Sequence, residues 1–126
     1  MIYSTQLTTT GNTLVFTSST TGAPVGGGVT GQSNAITNII VCNTGTPNLT
    51  DENVNSANLT INLVNSLGIG GSDSSVTNTI VKNLTIPAGE TVFFSDERIV
   101  LNAGDQIKAT ASTANLLSIT VSSLPV

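Results

Sequence analysis

The chain has no histidine, no tryptophan, one tyrosine, one cysteine and only three cationic side chains, Lys82, Arg98 and Lys108, among its 126 residues. Each scarcity removes a class of function. Without histidine there is no imidazole to serve as a general base near neutral pH, so Cys42 lacks the partner that a nucleophilic cysteine needs. A single cysteine cannot close an intramolecular disulfide, and Cys42, in the run NIIVCNTG, reads as a small buried hydrophobe. Three cations against seven carboxylates give a net charge of -4, which leaves no basic stripe to neutralise phosphates and argues against nucleic acid and anionic membranes as partners. No apolar run reaches the roughly 18 residues of a membrane span. The start, MIYSTQLTTT, has neither the positive nor the apolar segment of a secretory signal, so synthesis in a cytoplasm is expected, with any exit by another route.

Aromatic residues make up 3% of the chain while hydrophobic residues make up 38%. The core must therefore be built from Val, Ile and Leu. β-Branched side chains lose χ1 freedom in helices and fit the half-buried surface of a pleated sheet, so this composition favours strands. Charged residues are 8% of the chain, against roughly 25% in ordinary soluble domains. The polar surface must be made of Ser, Thr and Asn, which is neutral and hydrogen-bonding.

What is present is a series of short apolar runs separated by Gly, Asn, Asp and Pro, with almost no helical periodicity. The spacing predicts strands near Ile2 to Thr8, Thr13 to Ser18, Ala35 to Asn43, Asn58 to Asn65, Thr79 to Ile86, Thr91 to Phe94, Ile107 to Ser112 and Leu116 to Ser122, with a short one at Ile99 to Leu101. The alternation is clearest in NLTINLVN, where Leu59, Ile61 and Leu63 oppose Thr60, Asn62 and Val64. In LLSITVSSL it sets Leu117, Ile119 and Val121 against Ser118, Thr120 and Ser122. Two turns of the form Ala-Gly-acid, Ala88-Gly89-Glu90 and Ala103-Gly104-Asp105, place glycine where a positive φ costs little. Three stretches read as surface loops, or as arms that order against another subunit: Thr20 to Asn34, Asn43 to Asn58 and Ser66 to Ser75. Together these features predict an all-β chain, an antiparallel β-sandwich of about seven to nine strands, jelly-roll or immunoglobulin-like in topology. The chain divides into residues 1–34, N-terminal strands with a glycine-rich arm, and 35–126, the sandwich core, within a single domain.

Candidate chemistry is sparse. Asp96 and Glu97, with Arg98 beside them and Glu90 and Asp105 near in sequence, are the best available acid–base pair, weighed against a solvated turn with a local ion pair. Sugar-cleaving sites also supply aromatic platforms, which this composition cannot provide. Asp51, Glu52 and Asp73 are candidate Ca²⁺ ligands if their loops converge; flexible loops are the plainer reading, and no cofactor is expected. GAPVGGGVTG lacks the Lys-Ser/Thr ending of a phosphate-binding loop. The triplets NLT at Asn48, Asn58 and Asn83 match the glycosylation acceptor pattern, as chance allows in a chain so rich in Asn and Thr. Phe93 and Phe94 are neighbours and must point to opposite faces of a strand, so one ring anchors the core and the other is to be covered by a loop or a partner.

Three segments, AITNIIVCNTG, NTIVKNLTIPAGETVFF and DERIVLNAGDQIKATAS with LLSITVSS after it, resemble a group of small all-β virion proteins of tailed bacteriophages of marine and cyanobacterial type. The similarity runs from about Ala35 to the C-terminus and, more loosely, through the start of the chain. The glycine-rich insertion around Gly26 to Gly28 and the long DENVNSAN loop depart from the pattern. The resemblance implies a non-enzymatic structural component of the virion, placed on the capsid surface or in the neck or tail and made in the host bacterial cytoplasm. A capsid decoration or cement protein is the leading form, a neck, tail or fibre-associated protein the first alternative, and a carbohydrate or host-surface binding module the second. Its expected partners are the major capsid protein or other virion proteins and further copies of itself. The arm Met1 to Asn34 is the expected contact, so the candidate interface residues are Tyr3, Phe16, Pro24 and Val25, together with Phe93 and Phe94.

Overall fold

A computed structural model describes residues 2–18, 33–65, 76–95 and 98–126. Nine strands form among them and no helix: β1 (Ile2–Gln6), β2 (Thr13–Thr17), β3 (Asn34–Asn43), β4 (Ala57–Asn65), β5 (Val76–Ile86), β6 (Thr91–Phe94), β7 (Ile99–Leu101), β8 (Gln106–Ala111) and β9 (Leu117–Pro125). They make two antiparallel sheets. The first has the order β1-β9-β3-β6, with β7 also pairing β3, and the second has the order β2-β8-β4-β5. The chain is thus an all-β protein with the two-sheet layout of a β-sandwich. The N-terminal strands are integral to it, because β1 pairs β9 and β2 pairs β8.

Alternation decides which residues fill the space between the sheets. On β9, Leu117, Ile119 and Val121 are fully buried, and on β4 Leu59 and Ile61 are fully buried. Val41 and Ile39 of β3, Ile107 and Ala109 of β8, and Val15 and Phe16 of β2 join the same cluster. Val15 and Phe16 are sequence neighbours yet both buried, because the ladder with β8 shifts register between Leu14 and Phe16. That bulge turns two successive side chains inward. Phe16 is the largest buried side chain, so its ring belongs to the core and is not presented to a partner.

The two Ala-Gly-acid turns have a common design. In the first, Glu90 N donates to Pro87 O at 3.1 Å, and in the second Asp105 N donates to Asn102 O at 3.0 Å. Gly89 has φ 80° and Gly104 φ 94°, the left-handed value that the third position of such a turn requires. Each turn then clamps one residue of a neighbouring strand end through two backbone bonds. Gly89 N donates to Asn43 O at 3.0 Å while Asn43 N donates to Glu90 O at 2.9 Å. Gly104 N donates to Ser18 O while Ser18 N donates to Asp105 O at 3.0 Å. The clamped residues are buried polar groups tied further into the structure. Asn43 Nδ2 donates to Asn55 O and to Ile86 O, both at 2.8 Å, and its Oδ1 accepts from Gly45 N at 2.9 Å. Ser18 Oγ accepts from Asn34 Nδ2 at 2.7 Å. Since Asn34 and Asn43 begin and end β3, the two clamps close opposite ends of the sandwich.

The stretch 44–56 is a surface loop, as its composition predicts, but it is ordered by its own polar side chains. Asn48 Oδ1 accepts from Thr50 N at 2.9 Å, Thr50 Oγ1 at 2.8 Å and Asp51 N at 3.1 Å, and Asp51 Oδ1 accepts from Asn53 N at 3.0 Å. Asn55 Nδ2 reaches back to Thr46 O at 3.1 Å. Such local side-chain bonds hold a turn conformation without a core of its own.

Candidate interaction face

The outward faces of the two sheets differ in kind. On the β2-β8-β4-β5 sheet, the outward residues of β4 are Asn58, Thr60 and Asn62, and each is bonded to the adjacent β5. Thr85 Oγ1 donates to Asn58 Oδ1 at 2.9 Å, Thr60 Oγ1 to Asn83 Oδ1 at 3.4 Å, and Thr79 Oγ1 to Asn62 Oδ1 at 2.7 Å. Asn83 adopts φ 51° where the β4–β5 ladder shifts register between Leu59 and Ile61. This Thr/Asn ladder satisfies itself and presents a hydrated polar surface. Lys82 of β5 and Lys108 of β8 belong to the same sheet.

The β1-β9-β3-β6 sheet shows a different outer surface. Because Ile39 and Val41 point inward, Ile40 and Cys42 point outward. Across the ladder Ile40 lies between Thr120 and Phe93, and Cys42 lies between Ser118 and Thr91. Ser4 pairs Thr120 on the same face, with their hydroxyls 2.8 Å apart. Farther along β3, Ala35 lies between Leu124 and Val100. Ile2, Phe93, Val100 and Leu124 are 75%, 62%, 59% and 56% exposed. No outward position in these rows carries a charge.

A notch interrupts this face. β3 pairs β6 through Ile39–Cys42 and β7 through Asn34–Ile36, and its ladder with β9 shifts register between Ile36 and Asn38. At that break lies a cleft of about 520 Å³ lined by Ala35, Ile36, Thr37, Ser95, Arg98, Ile99, Val100 and Leu124. Among the described residues lining it, Arg98 is the one that carries a charge. A second cleft, of about 280 Å³, opens between the two sheets, and its described walls are Ile36, Ile39, Ile61, Leu63, Ile80, Val81, Phe94 and Ile99. A small-molecule site needs a few polar groups to fix the ligand's orientation, and none of these side chains supplies one.

The sequence candidates fall as follows. Phe93 and Phe94 do point to opposite faces: Phe94 packs against the core and Phe93 stands out on the charge-free surface. Tyr3 pairs Val121 and turns inward at the edge, half-buried. Cys42 is not the buried hydrophobe its sequence neighbours suggest. It is half-buried on the outer face, because the alternation that buries Val41 turns the next residue out. Pro24, Val25, Gly26 to Gly28, Asp73, Asp96 and Glu97 lie outside the described residues, and so do the expected loops at 20–32 and 66–75.

Glu90 and Asp105 are not brought together. They sit in the turns that clamp opposite ends of β3, nine residues apart along a strand that rises about 3.3 Å per residue, or roughly 30 Å. A pair of carboxylates doing acid–base work on one glycosidic bond stands within about 10 Å. Glu52 and Glu90 do share a recess, of about 120 Å³, with Asn48 and Pro87. Among the described residues no three acid, cysteine or histidine side chains converge as a metal site would require. No helix of the described residues is long and apolar enough to cross a membrane.

The outward residues Ile40, Val100 and Leu124 were not singled out by sequence reasoning. The signal was present in NAITNIIVCN, where alternation gives β3 an apolar member on each face, but the bulge at Thr37 hides its phase. No protein-family model matches the chain, and neither a curated protein nor a solved structure matches it.

Proposed function

We propose that the protein is a non-enzymatic structural component of a tailed-phage virion, most naturally a capsid decoration or cement protein, and that it works by surface contact. The observation that carries the reading is the outer face of the β1-β9-β3-β6 sheet, where the exposed apolar side chains of Ile2, Phe93, Val100 and Leu124 stand among uncharged Ser and Thr. Exposed apolar groups gathered on one face mark a contact surface. Ser and Thr between them suit wet contacts, since their hydroxyls bond to partners or to bridging water.

Strand order supports the finer form of the fold. The pairs β1·β9, β2·β8, β3·β6 and β4·β5 are those of one long antiparallel ribbon folded at its middle. Rolling that ribbon up adds β9·β3 and β8·β4, which are also present. These pairings favour the jelly-roll, an architecture used in viral capsid and lectin domains, over the immunoglobulin-like form. Fold alone carries no function. The resemblance of the IPAGET and AGD segments to phage virion proteins gives the reading its direction.

The test is to locate the protein on purified particles by antibody labelling and cryo-electron microscopy. Regular coverage of the shell supports decoration, and a signal at one vertex moves the protein to the neck or tail. Absence from intact particles overturns the reading.

A further inference from the structure

We propose that Asn48 is an N-glycosylation site, the one of the chain's three Asn-Leu-Thr triplets that the fold leaves open to a transferase using a sugar nucleotide. The triplets at Asn48, Asn58 and Asn83 are identical in sequence, so whatever separates them is set by structure. A transferase for Asn-X-Ser/Thr must close on three consecutive residues at the protein surface.

The middle residue separates them first. Leu59, between Asn58 and Thr60, is fully buried in the core. Leu84, between Asn83 and Thr85, is half-buried and packs against the same core. Leu49, between Asn48 and Thr50, is 100% exposed. The two strand triplets are also held by backbone pairing. β4 is paired on one side by β5 and on the other by β8, and within the β4–β5 ladder Leu84 pairs Leu59 and Thr85 pairs Asn58. Offering either triplet to an enzyme means pulling a strand from the sheet and its leucine from the core. The triplet at 48–50 belongs to no strand and is presented by a loop that its own side chains hold in shape.

The hydroxyl that defines the triplet separates them again. Thr85 Oγ1 donates to Asn58 Oδ1 at 2.9 Å and Thr60 Oγ1 donates to Asn83 Oδ1 at 3.4 Å. Each strand triplet thus spends its hydroxyl on the amide of the other. In the loop, Thr50 Oγ1 donates to the Asn48 amide of its own triplet at 2.8 Å. The backbone N–H groups of Thr50 and Asp51 meet the same Oδ1 at 2.9 and 3.1 Å. An N–H requires an acceptor, so these bonds fix which end of the amide is oxygen. Nδ2, the atom that takes the sugar, is the other end, and it donates to no described residue.

In the reaction, Nδ2 attacks the anomeric carbon of the sugar nucleotide. The C–N bond forms, the C–O bond to the diphosphate breaks, the nucleoside diphosphate leaves with the electron pair, and one amide proton passes to a base of the transferase. The sugar then stands on an end loop of the sandwich.

The experiment treats the folded full chain with UDP-glucose and a soluble Asn-X-Ser/Thr glucosyltransferase that modifies all three of the synthetic peptides spanning 45–53, 55–63 and 80–88. Peptide mapping by mass spectrometry gives the rate at each asparagine, divided by the rate on its own peptide. At Asn48 the folded chain should react within about threefold of the peptide. At Asn58 and Asn83 it should be slower by at least about tenfold, since those sites react only from locally opened molecules. Asn48→Gln and Thr50→Ala, each confirmed folded by circular dichroism, should abolish the fast reaction. A folded-chain rate at Asn48 at least about tenfold below its peptide overturns the proposal, and so does a rate at Asn58 or Asn83 close to that of its peptide. Neither result bears on where the protein is found on particles, and absence from particles leaves the acceptor site untouched.

Discussion

Replacing Asn43 by alanine isolates the cost of one buried polar clamp. Its amide makes three hydrogen bonds at 2.8–2.9 Å, donating to Asn55 O and Ile86 O and accepting from Gly45 N. The residue is fully buried, and its bond to Ile86 O lies where water cannot readily replace it. Each buried group left without a partner costs about 1–3 kcal/mol. With two of the three bonds only partly buried, Asn43→Ala should cost about 3 kcal/mol. For a chain of this length that is a fall of roughly 10 °C in Tm. The internal control is Asn48, whose Oδ1 also accepts three bonds but is exposed. Solvent takes over there, so Asn48→Ala should cost less than about 1 kcal/mol. Urea unfolding monitored by circular dichroism measures both. If Asn43→Ala were no more damaging than Asn48→Ala, burial would not be what gives the clamp its weight, and the reasoning would be refuted.

Asn43→Asp adds a pH signature: its second oxygen would face two carbonyls, raising its folded-state pKa above the usual 3.9 or so. The variant's deficit against wild type should be small below about pH 4 and grow as pH rises above it, which urea titrations at several pH values would read. Gly89→Ala should cost about 1–2 kcal/mol, because φ is +80° and the new Cβ would lie 2.8 Å from Pro47 Cγ. Gly11→Ala, with its nearest atom at 3.7 Å, should shift Tm by no more than a degree or two, in a thermal melt run beside it. Ile119→Ala, in the fully buried row of β9, should cost about 2–5 kcal/mol by the same urea assay.

Much of the fold was legible in the sequence because its determinants are local. Period-two alternation placed Leu59, Ile61 and Leu63 of β4 and Leu117, Ile119 and Val121 of β9 correctly. The Ala-Gly-acid turns were recognisable from glycine's tolerance of positive φ. What those turns hold was not legible, since Asn43 and Ser18 are distant in sequence from Glu90 and Asp105, and pairing at that range depends on sheet order. Phase was the second obstacle. A bulge shifts every later side chain to the other face, and bulges at Val15 and Thr37 put Phe16 in the core and left Cys42 outside it. The interaction face was harder still to read, because it is assembled from five strands and no single segment of it differs from an ordinary buried run.

The direct test of action through this face is the reactivity of Cys42, the only cysteine in the chain, which sits on that surface between Ser118 and Thr91. Its alkylation by a maleimide should be measured on the dilute free chain and on intact particles. The account predicts a rate at least about tenfold slower in the assembled state, as contact excludes the reagent. Equal rates in the two states would contradict it.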